Sequence, residues 1–131
     1  TRRSSDLVTK EEAIRRAGEL LVQGGYVEKE YIAAMLQREE QATTYLGMGI
    51  AIPHGTSGAK EKILKTGIVV LQYPQGVRFD DGKAYLIIGI AGIGDEHIEI
   101  LARISTCLDD EQVLQKLITT TDRQFIMDTL G

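Results

Sequence analysis

The chain has only two histidines, and both stand at glycine-rich junctions directly behind apolar runs. His54 lies in Gly47-Met48-Gly49-Ile50-Ala51-Ile52-Pro53-His54-Gly55-Thr56, where Pro53 drives Ile52 into an extended conformation and ends a short strand abruptly. The glycines at 47, 49, 55 and 58 keep bulk away from its approach. His97 follows Gly92-Ile93-Gly94-Asp95-Glu96 and falls in the first turn of an expected helix. A neutral imidazole with one nitrogen protonated and held presents the other as a nucleophile, and an ordinary pKa of about 6.5 leaves the ring mostly neutral at pH 7. Phosphoryl transfer asks for little beyond such a group, because it depends mainly on positioning and on stabilising charge. His54 is the candidate nucleophile, through Nε2. From a helix start, beside unpaired N–H groups and the positive end of the helix dipole, His97 is the candidate donor to a phosphoryl oxygen. Asp95, Glu96 and Glu99 add opposing negative charge there, yet they also favour a protonated, donor-competent His97.

The elements that must position these rings are legible in outline. Thr9 with Glu12 three residues on is a capping-box pattern, Ala13, Ala17, Leu20 and Leu21 form one apolar face, and Gly24-Gly25 ends the first helix. A second helix is expected from about residue 28 to 39 with Ile32, Met35 and Leu36 inward. Thr44-Tyr45-Leu46 and Ile50-Ala51-Ile52 read as short strands separated by glycine. Residues 64–73 and 84–91 are nearly continuous apolar runs that suit central strands covered on both faces, with Pro74-Gln75-Gly76 as the turn between them. Helical spacing returns over 96–108 through Ile98, Leu101, Ile104 and Leu108, and shorter helices are expected over 111–117 and 122–130. Helices, then strands, then helices predict an α/β fold over 1–131: a single domain with a mixed β-sheet sandwiched between helical layers.

Composition narrows the function. At 131 residues, with 43% apolar and 26% charged residues, the chain can bury a core without metals or disulfides. A net charge of −4 with no basic stripe argues against nucleic acid. No apolar run approaches the roughly 20 residues that span a bilayer and no signal segment opens the chain, so a cytoplasmic location without membrane insertion is expected. One cysteine fits a reducing compartment. The chain starts at Thr1 rather than methionine, which leaves open processing, trimming or excision from a longer polypeptide.

Gly-x-Gly-Ile-Ala-Ile-Pro-His-Gly-Thr at 47–56, Leu-Lys-Thr-Gly at 64–67, Gln-Tyr-Pro-x-Gly-Val-x-Phe at 72–79 and Glu-His-Ile at 96–98 resemble the enzyme IIA domain of the sugar phosphotransferase system, mannitol/fructose class, with the mannitol branch most similar. Residues 31–39 and Leu108-Asp109-Asp110-Glu111 add to the likeness, which runs from Thr9 onward. The resemblance implies a phosphohistidine carrier: His54 would take a phosphoryl group from the histidine phosphocarrier protein and pass it to a cysteine of the cognate IIB domain. That relay would serve a membrane IIC permease and mannitol uptake. It also implies that His97 assists and that Arg38, at the end of the second helix, is an accessory to the site. The family carries an N-terminal strand before its first helix, whereas residues 1–6 are polar and only weakly strand-like, so that edge is expected to be missing or disordered.

Other readings fit less well. Cys107 lies at helical spacing from Ile100 and Ile104 and reads as a small buried apolar residue. Gly92-Ile93-Gly94 begins a dinucleotide fingerprint whose third glycine is replaced by His97, zinc-type ligand spacing is absent, and Ser57 sits in no nucleophile elbow, so neither cofactor nor metal is expected. A partly apolar rim of Met48, Ile50, Ile52 and Ile93 is the expected docking surface, with Ile50→Asp as its probe. The alternatives are a regulatory phosphohistidine module without a transport role and, further off, a small-molecule enzyme.

Overall fold

In a computed structural model, residues 2–3, 8–80 and 82–130 are described. Helix α1 (Lys10–Gln23) begins with the expected capping box: Thr9 Oγ1 accepts from the Glu12 N–H while Glu12 Oε1 accepts from the Thr9 N–H. Helix α2 (Tyr31–Gln41) starts later than its apolar pattern suggested, because residues 27 and 28 are occupied in pairing with residues 62 and 63. The two helices approach closely at Gly18, where a Cβ would lie 2.8 Å from Ile32 Cγ1.

Five strands, β1 (Arg2–Arg3), β2 (Tyr45–Gly47), β3 (Ile50–Ala51), β4 (Gly67–Phe79) and β5 (Gly82–Ala91), form one sheet in the order β1-β4-β5-β3-β2. The β4–β5 and β2–β3 pairs are antiparallel and the β3–β5 and β1–β4 pairs parallel, so the sheet is mixed. Strand periodicity sorts the core into two layers. Leu71, Val77, Phe79, Ile87 and Ala91 pack against α1 and α2. Val70, Leu86, Ile88 and Ile90 face the opposite layer of α3 (Glu96–Leu108), α4 (Glu111–Thr119) and α5 (Arg123–Leu130). Cys107 is buried in that second layer.

Three expectations need correction. Pro74-Gln75-Gly76 is no turn: it lies inside β4 as a bulge, with the register slipping between Gln72 and Val77. A bulge accepts proline's missing N–H, and Gly76 supplies a φ of 82°. The hairpin reverses instead between Phe79 and Gly82. The N-terminal edge is present, since Arg2 and Arg3 pair in parallel with Leu71 and Gln72 of β4; residues 1 and 4–7 lie outside the described set. Ile98, expected on the helical apolar face, is 55% exposed.

Candidate functional site

Strand β3 runs out at Ala51, and the chain from Ile52 to Gly55 is held on three sides. The Ile52 N–H donates to the Thr44 carbonyl, and the Ile90 N–H donates to the Pro53 carbonyl, each at 3.0 Å. Tyr31 Oη accepts from the Gly55 N–H at 2.8 Å and donates to the Ile90 carbonyl at 3.1 Å, tying the loop to both α2 and β5. A side chain at residue 55 would meet the Tyr31 ring at 2.5 Å, so glycine there serves close approach. His54 emerges from this clamp half-buried.

The His54 ring is oriented by its own strand. Nδ1–H donates to the Ile52 carbonyl at 2.9 Å, which fixes the tautomer and leaves the Nε2 lone pair free. Burial lowers the pKa of His54 below 6.5, with Arg38 and His97 adding to the effect, against the Ile52 hydrogen bond and the Glu39 charge, which raise it. The ring is therefore neutral at pH 7, as a nucleophile must be.

His97, Arg38 and His54 line one cavity of about 320 Å³, together with Tyr31, Gln41, Thr56, Ser57 and Lys60. All three residues singled out in the sequence thus come together. Arg38 is placed by its own helix end, where Nη1 donates to the Ala42 carbonyl at 2.8 Å. His97 Nδ1–H donates to the Gly94 carbonyl at 2.9 Å, so its Nε2 can donate only when the ring is protonated. Gly92 makes room for it, since a Cβ there would stand 2.5 Å from His97 Cβ.

The helix end itself offers less than expected. The Glu96 N–H is already donated to Ile93 and the Ile98 N–H to Asp95. Among the described residues that line the cavity, Arg38 and Lys60 are the cations and none is a carboxylate. Sequence reasoning missed Tyr31 and Lys60. A tyrosine in the first turn of a helix gives no local sign that its hydroxyl will bridge residues 24 and 59 positions away.

The expected docking rim also divides. Ile93 is 45% exposed beside the cavity, but Ile50 is fully buried and Ile52 nearly so, and Met48 borders a separate cleft with Pro74, Tyr85 and Leu114. Alternation along a strand sends Ile50 and Ile52 to the same inner face, which packs on the α3–α5 layer.

A helix-sandwiched mixed sheet that presents two histidines in one cavity bordered by Arg38 and Lys60 defines an α/β domain with a paired-imidazole site. The chain belongs to the phosphoenolpyruvate-dependent sugar phosphotransferase system EIIA 2 family, whose model matches residues 1–131. It is 54% identical over 126 residues to the mannitol-specific EIICBA component of Escherichia coli K12, covering 94% of this chain. It spans about a fifth of the length of that relative. The mannitol-specific enzyme IIA component of Bacillus subtilis is 42% identical over 117 residues, covering 88% of this chain and 82% of that one. Among solved structures, the IIA domain in the Escherichia coli complex of IIA mannitol with phosphorylated IIB mannitol matches with a TM-score of 0.89. Its identity is 50%, over 98% of this chain and 92% of that one. The crystal structure of IIA mannitol from the same organism gives 0.86 and 48%, over 99% and 95%. No helix among the described residues is long and apolar enough to cross a membrane.

Proposed function

We propose that this chain is a mannitol-type IIA phosphoryl carrier that accepts its phosphoryl group on His54 Nε2 from the histidine phosphocarrier protein. It passes the group to a cysteine of a cognate IIB domain, which serves a membrane IIC permease. One observation carries the reading: the Nδ1–H bond to the Ile52 carbonyl leaves Nε2 unprotonated in a cavity shared with His97 and Arg38.

The step balances without a cofactor. The Nε2 lone pair forms the new N–P bond as the donor's P–N bond breaks, and that bonding pair returns to the donor ring. His54, now substituted at Nε2 and still protonated at Nδ1, carries the positive charge against the Ile52 carbonyl. Arg38, and His97 when protonated, hold the phosphoryl oxygens; this is electrostatic stabilisation of transferring charge. Delivery to a thiolate reverses the roles, with His54 as leaving group. Mannitol as the sugar follows from the relatives' names, because a carrier domain of this kind need not touch the sugar.

The test is transfer to a second protein. His54 is labelled by phosphorylated carrier protein and the chain is then mixed with a mannitol IIB domain. Label is expected to move to the IIB cysteine; label stably retained on His54 would point to the regulatory alternative.

A further inference from the structure

Glu39 is buried, at 6% exposure, although it sits one residue from Arg38 near the end of α2. Its Oε1 accepts two hydrogen bonds from Thr44, from the backbone N–H at 2.9 Å and from Oγ1 at 2.6 Å. Its Oε2 is buried with no hydrogen-bond partner, and the nearest cation, Lys10 Nζ, is 3.8 Å away and is shared with Asp80. A buried carboxylate with one oxygen left unpaired costs stability that packing does not return. Thr44 needs only one acceptor oxygen, which a glutamine would supply without the charge.

The same threonine is the anchor of the nucleophile. Its carbonyl takes the Ile52 N–H at 3.0 Å, and the Ile52 carbonyl takes the His54 Nδ1–H at 2.9 Å. Four residues therefore form an unbroken hydrogen-bonded series: Glu39, Thr44, Ile52, His54. The links at residues 44 and 52 enter through N–H and leave through C=O of different peptide groups, so the series transmits position rather than polarisation.

We infer that Glu39 is a positioning residue for phosphoryl transfer: its carboxylate, locked on Thr44, holds in place the carbonyl that fixes the His54 tautomer, and its charge offsets the positive charge that the ring acquires. The role resembles that of the buried aspartate behind the histidine of a hydrolase triad, but with two residues interposed. This rests on His54 being the phosphorylated residue. The direction of the electrostatic effect agrees, since Glu39 raises the His54 pKa while burial, Arg38 and His97 lower it. The charged groups that face Glu39 are Lys10, Glu11 and Arg15 from α1, Glu40 from its own helix and, through Lys10, Asp80 at the end of β4.

Three variants separate this role from a purely structural one. Glu39→Gln keeps an acceptor for Thr44 and removes the charge, Thr44→Val keeps the backbone donor and removes the hydroxyl, and Thr44→Ser restores that hydroxyl. Two quantities are read: the His54 tautomer and pKa, from imidazole ¹⁵N shifts of the unphosphorylated protein, and single-turnover phosphorylation by the carrier protein. Glu39→Gln is expected to lower the His54 pKa and to slow phosphorylation about tenfold, with half-saturation by the donor unchanged. Thr44→Val is expected to mix Nε2–H into the tautomer population, and Thr44→Ser to return both readouts to the parent values. A folded Glu39→Gln protein with the parent tautomer, pKa and rate overturns the inference. If Glu39→Gln does not fold, a Thr44→Val ring identical to the parent's overturns it equally. Were the unsubstituted chain to take no phosphate, the carrier reading would fail while the ¹⁵N comparison still decided whether Glu39 sets the ring.

Discussion

Two rings with the same kind of backbone tether stand in different surroundings, and the proposed roles differ accordingly. Each donates Nδ1–H to a carbonyl at 2.9 Å, which leaves Nε2 out of that tether in both. His54, with its pKa lowered by burial and by Arg38 and His97, is held neutral, as the proposed role of nucleophile requires. Phosphoryl acceptance is therefore expected to stay level as pH falls through 6.5 and to drop about tenfold per unit only below the lowered pKa, which single-turnover rates at a series of pH values would show. The stability effect has a defined sign. The unfolded chain protonates His54 at a higher pH than the folded one, so acidification from the ordinary value of 6.5 down to the lowered pKa draws the equilibrium toward unfolding. His54→Gln is expected to flatten that part of a Tm-against-pH curve.

At the scale of elements, the site is a meeting of ends: the exit of β3, the last turn of α2 and the first turn of α3. Gly92 is where β5 hands over to α3, and an added Cβ would stand 2.7 Å from both the Cα and the N of His97. Gly92→Ala is expected to shift the start of α3 and reduce phosphoryl acceptance on the order of a hundredfold, with far-ultraviolet circular dichroism unchanged. The capping box, the five helices and the continuous apolar run of β5 were legible because each is written within a few neighbouring residues. So was the placement of His54 and His97, which short motifs put at a strand exit and a helix start. The bulge at Pro74–Gly76 was not, because proline and glycine punctuate turns and bulges alike, and only pairing with β5 tells them apart. Nor was Tyr31, whose two hydrogen bonds depend on α2 and β5 meeting across the loop.

For the molecule as a whole, the question is how a second protein reaches a half-buried ring. Ile93 and Ile98 are 45% and 55% exposed on either side of His97 in the chain, and Leu64 is exposed just past Ile63 of the cavity wall. Ile93→Asp and Ile98→Asp are expected to weaken transfer from and to protein partners with Tm nearly unchanged. Ile50→Asp, which places a charge in the core, is expected to unfold the chain. Both follow from thermal melts run beside transfer assays. The central claim concerns one atom, and one measurement reaches it. The chain is phosphorylated by phospho-carrier protein, and the phosphorus is located by ³¹P–¹⁵N correlation in the parent, His54→Ala and His97→Ala proteins. The expected result is a single acid-labile phosphate on Nε2 of His54, absent from His54→Ala and slow to form in His97→Ala. Phosphate on Nδ1 of His54, on His97, or retained by His54→Ala would contradict it.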